Sequence, residues 1–250
     1  MISNTPPALT GYPFSRLAAR RRALALTVVC GGLFFAGCST PLTSDPLRRG
    51  PFYTPTNTTG EVSLPSDLRR VMVLPLYGGE LAPAETCAVL EPVFVTALQR
   101  ENRFEVITLS REECRRRFGV ESIASTSVLP RDLLPGLRRD FAVGGVMFLE
   151  LTAFAAYRPL TLGVRAKLAV LTDSHLVWSF DNIFASENPA VANSARRHFM
   201  VSDGRGVPGD LTPAVLQSPS RYAEYVAAAM FVTLPAVYSP VAGVASRRRE

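Results

Sequence analysis

From residue 69 to residue 142 the apolar positions fall in short blocks separated by helical spacing; from residue 143 to residue 180 they fall in long β-rich runs. Arg70-Val-Met-Val-Leu-Pro-Leu-Tyr77 is a short apolar block that predicts a buried strand, closed by Gly78-Gly79. Residues 84–101 place Cys87, Leu90, Phe94, Ala97 and Leu98 at helical spacing, with Pro92 expected to kink the helix or restart it. Phe104-Glu-Val-Ile-Thr-Leu109 predicts a second strand, and Ser110-Arg-Glu-Glu113 has the form of a capping box opening a helix. Pro130 to Phe141 predicts a further helix built on Leu133, Leu134 and Leu137, its regularity limited by Pro135.

Val143–Tyr157 and Leu160–Thr172 are β-rich runs joined at Arg158-Pro159. The second alternates Leu162, Val164, Ala166, Leu168 and Val170 with Thr161, Arg165 and Lys167, as a half-buried strand does. Asp173-Ser174 is expected to be a two-residue turn into a third strand, His175–Phe180. Residues 186–217 read as loop-rich, and Ser220–Leu234 as an amphipathic closing helix. Helical units followed by a three-strand meander predict an α/β (α+β) fold: a mixed sheet with helices packed against it, ending in a β-meander and a C-terminal helix. A single domain is expected over residues 67–236, with its core in 68–184, a C-terminal loop and helix in 185–236, and a disordered tail at 237–250.

The N-terminal pattern is of another kind. Arg16, Arg20, Arg21 and Arg22 form a positive block with no acid in residues 1–37, and the apolar stretch Ala23–Phe35 follows. A basic segment, a 13-residue apolar core and a small-residue site are the layout of a secretory signal peptide. A core of that length is short for a bilayer span, and Gly31-Gly32 weakens it as a helix. Residues 38–66 are rich in Ser, Thr and Pro without an apolar face, and predict a solvated tether.

Charge changes meaning once it is located. The 250-residue chain carries +6 overall, with 27 Lys+Arg against 21 Asp+Glu. Four of the arginines lie in the signal segment, and Arg247-Arg-Arg249 with Glu250 carries a further +2, so residues 38–246 hold 20 basic and 20 acidic side chains and are electrically neutral. The basic excess is therefore no footprint for nucleic acid. Arg115-Arg-Arg117 and Arg138-Arg139 are the dense basic clusters of the body and read as solvated helix faces.

Catalytic and cofactor patterns are weak. Gly204-Arg-Gly206-Val-Pro-Gly209 matches G-x-G-x-x-G by letters, yet Pro208 and the lack of a feeding strand remove the strand–turn–helix that a dinucleotide needs. His175 follows Asp173 and Ser174, but neighbours on a strand point to opposite faces and cannot form a triad. His198 has no second His or Cys nearby for zinc. Glu112 and Glu113 are acids of a first helical turn, favoured by the helix dipole. No catalytic residue, metal ligand or cofactor is expected.

Phe35-Ala36-Gly37-Cys38 resembles the lipobox of bacterial lipoprotein signal peptides, departing from that family at Phe35, where leucine is usual. The resemblance implies cleavage before Cys38 and its acylation, and Ser39 in place of aspartate implies sorting to the outer membrane, facing the periplasm. Cys87 and Cys114 are then the thiols remaining in an oxidising compartment. Either they form a disulfide, or they are buried free cysteines acting as small hydrophobes. Val71-Met-Val-Leu-Pro75, Phe104-Glu-Val-Ile107, Val143-Gly-Gly-Val-Met-Phe148, Leu168-Ala-Val-Leu-Thr-Asp173 and Leu176-Val-Trp-Ser179 form a layout similar to a domain superfamily. Its members are curli-secretion-type lipoproteins, penicillin-binding-protein-activator lipoproteins and the N-terminal domain of the Tol–Pal propeller protein. This resemblance covers roughly residues 68–184 and implies a non-enzymatic protein that binds other envelope proteins. An exported enzyme acting on wall or lipid, or a secretion-channel subunit, are the alternatives. A channel would need more membrane hairpins than this chain offers.

Overall fold

The computed structural model describes residues 50–202 and 212–237. Six strands form one mixed sheet: β1 (Thr58–Gly60), β2 (Arg70–Val73), β3 (Glu105–Thr108), β4 (Gly145–Ala155), β5 (Thr161–Val170) and β6 (Leu176–Ala185). Their order is β1-β6-β5-β4-β2-β3, with β2 parallel to both β3 and β4 and the meander β4-β5-β6 antiparallel. Helix α1 (Ala84–Arg100) connects β2 to β3, while α2 (Arg111–Phe118) and α3 (Leu133–Phe141) lie between β3 and β4. After the meander come α4 (Pro189–Ser202), α5 (Thr212–Val215) and α6 (Pro219–Phe231). The expected mixed sheet with packed helices, meander and closing helix is the observed fold.

Period two in the strands creates two apolar faces, and each recruits its own helices. On the first face Val71, Val73, Met147, Leu149, Val164, Leu168, Trp178 and Phe184 meet Leu90 and Phe94 of α1, Val191 and Ala195 of α4, and Tyr222, Val226 and Phe231 of α6. Met72, Leu74, Val146 and Phe148 on the second face meet Cys114 of α2 and Leu133 and Leu137 of α3. Each fully buried large side chain contributes about 1.5–3 kcal/mol, so both faces hold helices firmly.

Several local expectations need correction. Helix α1 runs as one element through Pro92. Pro92 and Ala88, four residues before it, both sit on the exposed side, where the freed Ala88 carbonyl reaches water. Pro135 is accommodated because it lies in the first turn of α3, where no intrahelical donor is required. The β5–β6 connection is wider than two residues: Val170 N donates to the His175 carbonyl, and Ser174 adopts a φ of 60°. Residues 186–217 are not mainly loop, since α4 occupies Pro189–Ser202, with the Asn188 side chain accepting from Ala190 N at its start.

The domain also begins well before residue 67, within the stretch read as tether. Strand β1 pairs with β6 at one sheet edge, and Leu64 is buried beside Val237. Tyr53 N donates to Ser194 Oγ at 2.8 Å, and Tyr53 packs edge-on against Phe184. Buried anchors at Tyr53 and Leu64 are too few for a periodic signal, which is why composition outweighs them in the sequence.

Candidate functional site

The C-terminal ends of β2 and β3 make a natural crevice, because the chain leaves them for helices on opposite faces. Open α/β sheets take ligands at such a point. Here the protein fills it. Arg111, the first residue of α2, reaches across and donates to the Leu76 carbonyl at 2.7 Å and to Glu91 of α1 at 3.0 Å. Glu91 also accepts from Leu76 N at 3.1 Å. The pair is mostly buried, and it pins both helices to the end of β2.

Cys87 and Cys114 flank this pin and are free, buried thiols. Cys87 belongs to the first-face cluster and Cys114 to the second, so the sheet end and Arg111 separate them. The bridge considered from sequence thus gives way to its alternative, two small buried hydrophobes. Burial raises the Cys87 pKa and pushes that of Cys114 up to about 11, which suppresses the reactive thiolate. Gly78 allows this packing: a Cβ there would lie 2.4 Å from Cys87 Sγ.

A second polar row crosses the outer face of the meander. Glu150 of β4 is 4% exposed, accepts from Ser125 N at 2.6 Å, and lies 3.7 Å from Arg165 of β5. Arg165 in turn donates through Nη2 and Nε to one oxygen, Oδ2, of Asp181 on β6, at 2.7 and 2.8 Å. This row holds the loop before α3 onto the sheet. Its acids are engaged by a backbone amide and a guanidinium.

The other residues singled out from sequence are structural. The two ring nitrogens of His175 face Asp173 and Glu61, so neither is left for Ser174. His198 is half-buried beside the rings of Phe199 and Tyr225, and its pKa is lowered by desolvation and by Arg100. Glu113 pairs with Arg116 and Arg117 and Glu112 with Arg115, as solvated helix faces do. Arg117 also reaches Asp140 at 2.6 Å, which ties α2 to α3. Cys38, the signal segment, the 204–209 glycine motif and the C-terminal arginines lie outside the described residues. Among the described residues no His/Cys/Asp/Glu group could hold a metal, and no helix is long and apolar enough to cross a membrane.

Sequence reasoning missed Glu91, Arg111 and Glu150. Glu150 was the visible one, a lone carboxylate inside the apolar run Gly145–Ala155. Glu91 and Arg111 gave no signal, because each sits at an ordinary polar position of its helix.

No protein family matches the chain, and no curated protein does. Solved structures share its layout at low similarity. A PelC dodecamer from Paraburkholderia phytofirmans is 11% identical over 68% of this chain and 95% of its own, with a TM-score of 0.37. Lipoprotein GNA1162 from Neisseria meningitidis is 18% identical over 54% of this chain and 94% of its own, with a TM-score of 0.39. The LpoB C-terminal domain from Escherichia coli is 15% identical over 47% of this chain and 83% of its own, with a TM-score of 0.31. Likeness at this level carries no inference about partner or activity.

Proposed function

We propose that this chain is a membrane-anchored periplasmic lipoprotein whose α/β domain binds other cell-envelope proteins as a non-catalytic accessory or assembly factor. The observation that carries the reading is the order of parts: a basic block, an apolar core, Phe35-Ala36-Gly37-Cys38, and then a domain. Acyl chains on Cys38 hold a protein to a bilayer at about 0.8 kcal/mol per buried methylene, firmly when more than one is attached. The filled crevice at the strand ends agrees with a protein that binds by surface rather than by enclosing a substrate.

Replacing Cys38→Ala tests the anchor. Loss of acyl labelling, with release from the membrane fraction or accumulation of unprocessed chain, is the expected outcome. Membrane attachment at mature size would overturn it. For the outer-membrane assignment, Ser39→Asp is expected to shift the protein to inner-membrane fractions on a density gradient. In-cell crosslinking of the full chain tests the partner reading, and repeated failure to capture an envelope protein would end it.

A further inference from the structure

An open cleft of about 700 Å³ lies beside α3, floored by Leu129, Leu134 and Leu171 and rimmed by Arg131, Arg138 and Arg139. Arg138 also lines an adjoining cleft of about 400 Å³ that contains Arg69 and Arg70. Most guanidiniums of this layer are already answered: Arg115, Arg116 and Arg117 by Glu112, Glu113, Glu121 and Asp140, Arg139 by Asp140, and Arg70 by Glu105. Arg69, Arg131 and Arg138 have no ion-pair partner among the described residues, and Asp67 is the one carboxylate lining either cleft. Two adjoining clefts thus present unanswered positive charge over an apolar floor.

We infer that this double cleft is the docking site for an extended acidic segment of another envelope protein, one that alternates carboxylates with apolar side chains. The inference rests on the partner-binding reading above and assigns it a surface. Charge complementarity names the occupant. A planar guanidinium takes a carboxylate through paired hydrogen bonds, while the leucine floor takes the apolar residue between two carboxylates.

The test titrates the purified full-length chain, in mild detergent, with a fluorescent octapeptide of alternating glutamate and leucine. Its glutamine–leucine counterpart and phosphatidylglycerol vesicles are titrated in parallel. The acidic peptide is expected to bind, the neutral one not. Arg131→Gln with Arg138→Gln is expected to weaken binding about tenfold, a loss that grows as salt is lowered. The control Arg115→Gln with Arg116→Gln, whose arginines are already answered by Glu112, Glu113 and Glu121, should leave it unchanged. Circular dichroism of both double variants separates binding from folding. Equal weakening by the two, equal binding of the two peptides, or a loss confined to vesicles overturns the inference. Envelope crosslinks that persist in the Arg131/Arg138 variant would overturn this site and leave the partner-binding reading intact. Their absence from the unaltered chain would remove that reading as well.

Discussion

The two helical layers hold the same sheet by different means. The first, α1, α4 and α6, covers a ring-rich core in which Phe231, Trp178, Phe180, Phe184 and Tyr225 form a chain of ring contacts with centroids 5.7 to 6.4 Å apart. The second, α2 and α3, rests on fewer apolar residues and is laced by exposed ion pairs. It also stops short, leaving the meander's outer face to the Glu150–Arg165–Asp181 row. Stability should therefore be concentrated in the first layer, and adaptable surface in the second. A partner can dock on the second without disturbing the core.

The sharpest way to break that contrast is a pair of truncations. Phe184→Ala, fully buried between Tyr53 and Tyr225, is expected to cost about 3–5 kcal/mol in denaturant unfolding. Leu137→Ala, equally buried in the second layer, is expected to cost about 2–3 kcal/mol, because short helices can settle into the space. A Leu137 cost equal to that of Phe184 would refute the ranking. Next comes the pin shared by both layers. Glu91→Gln leaves Arg111 buried without its counter-charge and should cost about 2–3 kcal/mol, less than a fully buried pair because each side chain keeps some exposure. A double-mutant cycle with Arg111→Met that returned no coupling would show the pin to be incidental.

Legibility did not follow that division; it followed how local each signal is. The first-layer stripe of α1 was read residue by residue, since five buried positions at helical spacing make a strong periodic signal. The capping box was equally plain: Ser110 Oγ accepts from Glu113 N at 3.1 Å, and Ser110→Ala should cost about 1 kcal/mol, checked by the unfolding midpoint. Helix α4 was not read, because Asn193 and Ser194 interrupt its apolar stripe to bind the Pro51–Tyr53 segment, a tertiary demand that no local window contains. For the same reason β1 passed as tether: two threonines and a glycine become a strand only once β6 offers its edge. The Arg111–Glu91 pin was illegible because it joins residues from two helices through the end of a strand.

The smallest effect, and the finest probe of the contrast, comes from the chain's two histidines, which are shifted in opposite directions. Asp173 beside His175, with Glu61 adding less, raises the imidazole pKa above 6.5. Its contribution is full below pH 6.5 and disappears as pH rises through the folded value. Burial against α1 and α6, reinforced by Arg100, lowers the pKa of His198. The folded state holds it neutral, so stability is kept above pH 6.5 and lost as pH falls through the folded value. The two windows meet at pH 6.5: acidification down to that point gains the His175 contribution and further acidification loses that of His198, so the pair places a stability maximum there. Urea midpoints should therefore fall more steeply on acidification in His175→Gln, whereas His198→Gln should become relatively more stable at low pH. Proton NMR has only two imidazole curves to resolve, one midpoint on each side of 6.5. Coincident curves would mean that His198 is not desolvated, and that α4 does not hold it against α1 and α6.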